Sequence, residues 1–124
     1  MKIKKIAPQI RTTDMDATIR FYTEVLGFKV EFNYENFYVG ISSGDHIIHL
    51  KLVNEKDPSI PYVEHGGHLH LYFEIDDVTA LADELKSKRV PIVEDVHETA
   101  WQTREMVLHD DQGHTLYFGE SIRS

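Results

Sequence analysis

A chain of 124 residues, 41% hydrophobic and 27% charged, holds one domain or two half-size units, and its composition excludes disordered and collagen-like classes. Thirteen Lys+Arg against 21 Asp+Glu leave a formal charge of −8, so nucleic acid and anionic membranes, which need a basic face, are not expected partners. With no cysteine there is no disulfide framework, thiolate metal site or cysteine nucleophile, and the composition fits a reducing cytoplasm.

No apolar run approaches the length of a membrane span. The basic start Met1-Lys2-Ile3-Lys4-Lys5 runs into Ala7-Pro8-Gln9 rather than an apolar signal core. Residues 6–12 alternate apolar and other side chains, which predicts a strand. Thr13 or Asp14 then reads as the N-cap of a helix striped by Met15, Ile19, Tyr22, Val25 and Leu26, with Gly27 as its stop. Three short strands are predicted over 29–34, 37–42 and 46–53, separated by turn-like polar residues.

Residues 55–66 are polar and broken by Pro and Gly, and read as a linker. Beyond it the pattern repeats. Residues 68–75 alternate, with Leu69, Leu71, Phe73 and Ile75 on one face and His68, His70, Tyr72 and Glu74 on the other. Asp77, 63 residues after Asp14, caps a helix striped by Val78, Leu81, Ala82 and Leu85. Strands over 91–96, 102–109 and 114–119 follow, the last two joined as a hairpin by Asp110-Asp111-Gln112-Gly113.

The chain therefore reads as α+β: two βαβββ modules, roughly 1–54 and 67–120, in a single domain spanning 1–124. One helix covers only one face of a four-stranded sheet, so the opposite faces are expected to meet each other or a partner chain. That arrangement leaves a concave, partly polar cleft and edge strands suited to a homodimer.

Strand parity selects the residues lining such a cleft. Ala7, Gln9 and Arg11 share one face of the first strand, and His49 and Lys51 face away from Ile48, Leu50 and Leu52. His68, His70 and Tyr72 face away from the apolar row of their strand, and Tyr117 faces away from Leu116 and Phe118. Trp101 with Phe32 or Tyr34 offers aromatic faces for a planar or cationic ligand, or ordinary packing, and Glu105 adds a carboxylate. The histidines form a metal-binding or protonatable cluster, or simply line a wet cleft. No dinucleotide fingerprint, Walker loop or nucleophile elbow is present. No catalytic residue is assigned.

Several strings resemble the vicinal oxygen chelate superfamily of glyoxalases, bleomycin-resistance proteins and extradiol dioxygenases. They are Arg11-Thr12-Thr13-Asp14, Phe21-Tyr22-Thr23-Glu24-Val25-Leu26-Gly27-Phe28, and Asp110-Asp111-Gln112-Gly113 ahead of the last strand. Pro8, Trp101 before Arg104-Glu105-Met106, and Gly113-His114-Thr115-Leu116-Tyr117-Phe118 are most similar to the bleomycin-resistance branch. The resemblance implies a curled mixed sheet around a cleft, with helices outside, and a dimer that exchanges its first strand at a proline such as Pro8. An edge-strand proline without exchange fits the same residue.

Metal-using members carry one ligand on each of four strands, and the resemblance places those positions at Ala7, His49, His70 and Tyr117. Ala7 has no donor atom and neutral tyrosine is a poor ligand. No metal or other cofactor is therefore expected. A divalent ion, if bound, would use His49, His70 and Glu105. The implied function is binding of a small organic molecule, with sequestration of an antibiotic as its sharpest form. The alternative is a metal-dependent lyase, isomerase or dioxygenase of glyoxalase type.

Overall fold

A computed structural model of the chain describes residues 1–122, so Arg123 and Ser124 of the predicted domain lie outside the described residues. The chain divides into two compact units, Met1–Asp57 and Pro58–Ser124. The first contains β1 (Gln9–Thr12), α1 (Met15–Arg20), β2 (Lys29–Tyr34), β3 (Tyr38–Ser43) and β4 (His46–Leu52). Its sheet runs β1-β4-β3-β2, with β1 parallel to β4 and the other pairs antiparallel.

Proline lacks the N–H that a ladder needs, and β1 starts one residue after Pro8. The Pro8 carbonyl still accepts a hydrogen bond from the His49 N–H at 2.8 Å. Asp14 caps α1, its Oδ1 accepting from the Ala17 N–H at 3.1 Å. The buried row of α1 and the turn after it is Met15, Thr18 and Tyr22; Thr18 takes the place predicted for Ile19. Its hydroxyl meets that of buried Thr12 at 2.7 Å, which satisfies both groups away from water. The final turn widens to a π-turn over Phe21–Val25, where the Thr23 hydroxyl donates to the Ile19 carbonyl at 2.7 Å. Gly27 ends it at φ +79°, a left-handed conformation that favours glycine. Beneath α1, Ile10, Val39, Ile41, Ile48 and Leu50 form the core of this sheet face, each 5% exposed or less.

The second unit contains α2 (Ile60–Glu64), β5 (Leu71–Glu74), α3 (Val78–Ser87), β6 (Glu94–Glu98), β7 (Thr103–His109) and β8 (Thr115–Ser121). Its sheet runs β5-β8-β7-β6, with β5 parallel to β8 and the remaining pairs antiparallel. Asp77 repeats the cap of Asp14, its Oδ1 accepting from the Ala80 N–H at 2.9 Å. Val78, Ala82 and Leu85 of α3 are buried, as are Met106, Leu108, Leu116 and Phe118 of the sheet. Phe73 stacks on Phe118 at 5.0 Å. The fold is thus two βαβββ modules, each a four-stranded mixed sheet with a helix across one face.

Several predicted boundaries change, the first at β1, which begins at Gln9 rather than at residue 6 and so leaves Ala7 before the strand. The linker holds α2, with Pro61 in its first turn, where a missing N–H costs no helical hydrogen bond. β5 begins at Leu71 rather than at residue 68, because Gly66 and His68 adopt φ +94° and +59° and turn the chain before it can extend. β6 begins at Glu94 rather than at residue 91. Among the described residues, no helix is long and apolar enough to cross a membrane.

Candidate functional site

The two sheets share one internal register. In the first unit Gln9 pairs with His49, Gly40 lies opposite His49, and Tyr38 lies opposite Lys51. In the second, Tyr72 pairs with Tyr117, Val107 lies opposite Tyr117, and Glu105 lies opposite Gly119. Gln9 therefore corresponds to Tyr72, His49 to Tyr117, and Tyr38 to Glu105. Both modules join the first and last of these by a hydrogen bond on the sheet face opposite the helix. Gln9 Nε2 donates to the Tyr38 hydroxyl at 3.1 Å, and the Tyr72 hydroxyl donates to Glu105 Oε2 at 2.8 Å.

In the first unit, the Tyr38 hydroxyl also meets His49 Nδ1 at 2.8 Å. The Tyr38 hydroxyl thus links the Gln9 amide to the His49 ring. Phe32 lies over Gly40, where any Cβ would collide with the ring. That ring stacks on Tyr38 at 6.2 Å and meets His49 edge-on at 5.7 Å. Arg11 and Lys51 pair across β1 and β4, two residues along the same face from Gln9 and His49. Tyr34 is exposed at the end of β2, opposite Tyr38.

In the second unit, Glu105 is 7% exposed. Its Oε2 accepts from the Tyr72 hydroxyl at 2.8 Å, the Thr103 hydroxyl at 2.9 Å and Trp101 Nε1 at 3.2 Å. Trp101 reaches back over β7 because Thr99 and Thr103 close a tight turn, their hydroxyls 2.7 Å apart and the Thr99 N–H bonded to the Thr103 carbonyl. Tyr72 lies across Gly119, where a Cβ would collide with its hydroxyl. Burial pushes the Glu105 carboxyl up, but the bonds from Tyr72, Thr103 and Trp101, helped by His97, hold it below the usual carboxylate range. Burial, together with the bond to Glu105 and its charge, pushes the Tyr72 hydroxyl up to about 12.

His70 stacks flat on Tyr117, centroids 5.2 Å apart and planes 7° apart, and its Nε2 meets the Gly67 carbonyl at 3.0 Å. His68, in the bend before β5, turns to the Tyr62 ring at 5.9 Å and not into a histidine row along the strand. The first unit thus brings Gln9 and His49 together, and the second brings Tyr72, Trp101 and Glu105 together with His70 beside Tyr117.

The donor chemistry at the four positions that the resemblance implies for a metal is thin. Ala7 offers no donor, His49 Nδ1 is engaged by Tyr38, and His70 carries its stacked Tyr117. Glu105 commits one oxygen to three donors. Within each unit, no three His, Asp or Glu side chains among the described residues are placed to share an ion.

Two participants were missing from the sequence reading. Tyr38 could have been found by extending face parity to β3, since it lies opposite Lys51. Thr103 sits two residues before Glu105, on the same face of β7.

The model of the Glyoxalase/Bleomycin resistance protein/Dioxygenase superfamily matches residues 2–118. No curated protein matches the chain. Among solved structures, a glyoxalase/bleomycin resistance protein/dioxygenase from Alicyclobacillus acidocaldarius is 17% identical, with TM-score 0.78, over 95% of this chain and 91% of that one. A lactoylglutathione lyase from Agrobacterium tumefaciens is 21% identical, with TM-score 0.74, over 96% and 95%. A bleomycin resistance determinant encoded on the transposon Tn5 is 20% identical, with TM-score 0.72, over 96% and 98%. At these identities the likeness carries the fold.

Proposed function

The chain belongs to the glyoxalase/bleomycin resistance protein/dioxygenase superfamily, and from that premise we propose that it binds and sequesters a small organic molecule without a resident metal. The observation that carries this reading is the state of the family's ligand positions. They hold a residue with no donor, two imidazoles already in contact with tyrosines, and one of those tyrosines, a set that does not fit a divalent ion. What the faces opposite the helices offer instead is aromatic rings and fixed hydrogen-bonding groups. Such surfaces orient an organic ligand.

An antibiotic of the bleomycin type is the sharpest candidate, in keeping with the resistance determinant among the structural neighbours. Trp101 is the only tryptophan, so its fluorescence is a direct reporter of this region. Titration with bleomycin is expected to change that fluorescence saturably, and mass spectrometry to recover the antibiotic unaltered. No saturable change, or conversion of the antibiotic, would overturn the reading.

The protein is further proposed to act in the cytoplasm as a single domain and a homodimer. Ile3, Ile6 and Leu69 are 63%, 82% and 91% exposed, apolar surface that a second copy would cover. Sedimentation at micromolar concentration is expected to give a dimer, and a monomer would reject this assembly. Exchange of the first strand at Pro8 belongs to the same proposal, and a dimer without it would remove that part alone.

A further inference from the structure

A carboxylate nine-tenths removed from water is usually balanced by a cation, because neutral donors offset only part of the lost hydration. Glu105 is 7% exposed. Among the described residues no lysine or arginine forms an ion pair with it. The neighbouring Arg104 is directed to Glu98 and Glu120 instead, at 3.9 and 3.5 Å. All three donors that reach Glu105 end on Oε2. Among the described residues Oε1 accepts none. The charge is therefore fixed in place and orientation while one oxygen keeps its full accepting capacity.

The two aromatic donors are far more open than the carboxylate they hold, Tyr72 at 47% and Trp101 at 67% exposed. An aromatic face attracts a cation, most strongly for indole. The equivalent pair in the first module, Gln9 with Tyr38, has the same register and hydrogen bond but no charge. The anion is thus a property of the second module's position and is not required by the fold.

We propose that Glu105 Oε1, flanked by the rings of Tyr72 and Trp101, receives a protonated primary or secondary amine, so that the ligand is an organic ammonium ion with an apolar body. This rests on the reading of the protein as a small-molecule binder and names the class of molecule. The ammonium N–H donates to Oε1 in a charge-assisted hydrogen bond, and the aromatic rings take up the adjoining apolar carbon. His97 lies opposite Glu105 across β6 and β7.

The single indole of the chain makes the test direct, since Trp101 Nε1–H donates to Glu105. At pH 8, benzylammonium is expected to move the Trp101 indole resonance of the 15N-labelled protein saturably, with about tenfold higher affinity than benzyl alcohol. Benzoate is expected to bind more weakly still. Glu105→Gln keeps a carbonyl oxygen for the three donors and removes the charge, so it should abolish the preference for the amine. Equal binding of benzyl alcohol and benzylammonium to the unaltered protein would overturn the proposal without recourse to the variant. So would a folded Glu105→Gln protein that still prefers the amine, or the lack of any response to benzylammonium. Each of these leaves the bleomycin titration standing as a separate judgement on small-molecule binding.

Discussion

Replacing Leu116 with alanine is expected to destabilise the protein by about 2–5 kcal/mol, whereas Tyr117→Ala should cost less than about 1 kcal/mol. The two residues are neighbours on β8 and point to opposite faces of the sheet. Leu116 is fully buried with Val78, Ala82 and Leu85 of α3 in the core of its unit, so truncation loses transfer energy and leaves a cavity. Tyr117 lies on the face opposite α3, where it stacks on His70 and keeps partial access to water. Urea unfolding of both variants measures the difference. Equal losses would contradict the assignment of faces on which the candidate site depends.

Gly119→Ala should leave the protein folded but displace Tyr72 from Glu105. The added Cβ would occupy the space of the Tyr72 hydroxyl, the far end of a side chain that can swing aside, so the collision moves the ring and spares the backbone. Two readouts follow. In the unaltered protein one of the six tyrosines should ionise only near pH 12, because burial, the hydrogen bond to Glu105 and the charge of Glu105 all disfavour the Tyr72 phenolate. In Gly119→Ala that late titration, followed by ultraviolet absorbance, should move down towards the ordinary value of about 10.

The sign for stability is fixed by the same shift. The folded protein holds the Tyr72 proton above the pH at which the unfolded chain releases it. The associated stabilisation is therefore complete below pH 10 and is lost as pH rises towards about 12. Glu105 works the other way: its lowered carboxyl stabilises the fold above the ordinary carboxylate range and loses that contribution as pH falls through the folded value. Unchanged tyrosine titration in Gly119→Ala would show that Tyr72 does not depend on the open space above Gly119.

Elements with strong local signals could be read from the sequence. Asp14 and Asp77 announced both helices because a carboxylate can satisfy the first free N–H groups of a helix, and both do so. Alternation separated Ile48 and Leu50 from His49 because a strand has no other way to bury one face. What escaped depended on backbone torsions or distant partners. The left-handed torsion of His68 is not encoded by alternation, so the histidine row appeared longer than the strand that begins at Leu71. Pro58-Ser59-Ile60-Pro61 reads as a loop until the first-turn proline is seen to start α2. Glu105 was legible as a candidate carboxylate, but the convergence of Tyr72, Thr103 and Trp101 on one oxygen was not. It requires the pairing of β5 with β8 and the turn that folds Trp101 back over β7.

The reading of the protein as a metal-free binder stands or falls most directly on elemental analysis of the purified chain after exhaustive dialysis. Ala7 has no donor atom and His70 shares its place with a stacked tyrosine, so the expected result is no stoichiometric zinc, nickel, iron or manganese. One such ion per chain, lost together with a lyase, isomerase or dioxygenase activity in His70→Ala, would contradict it.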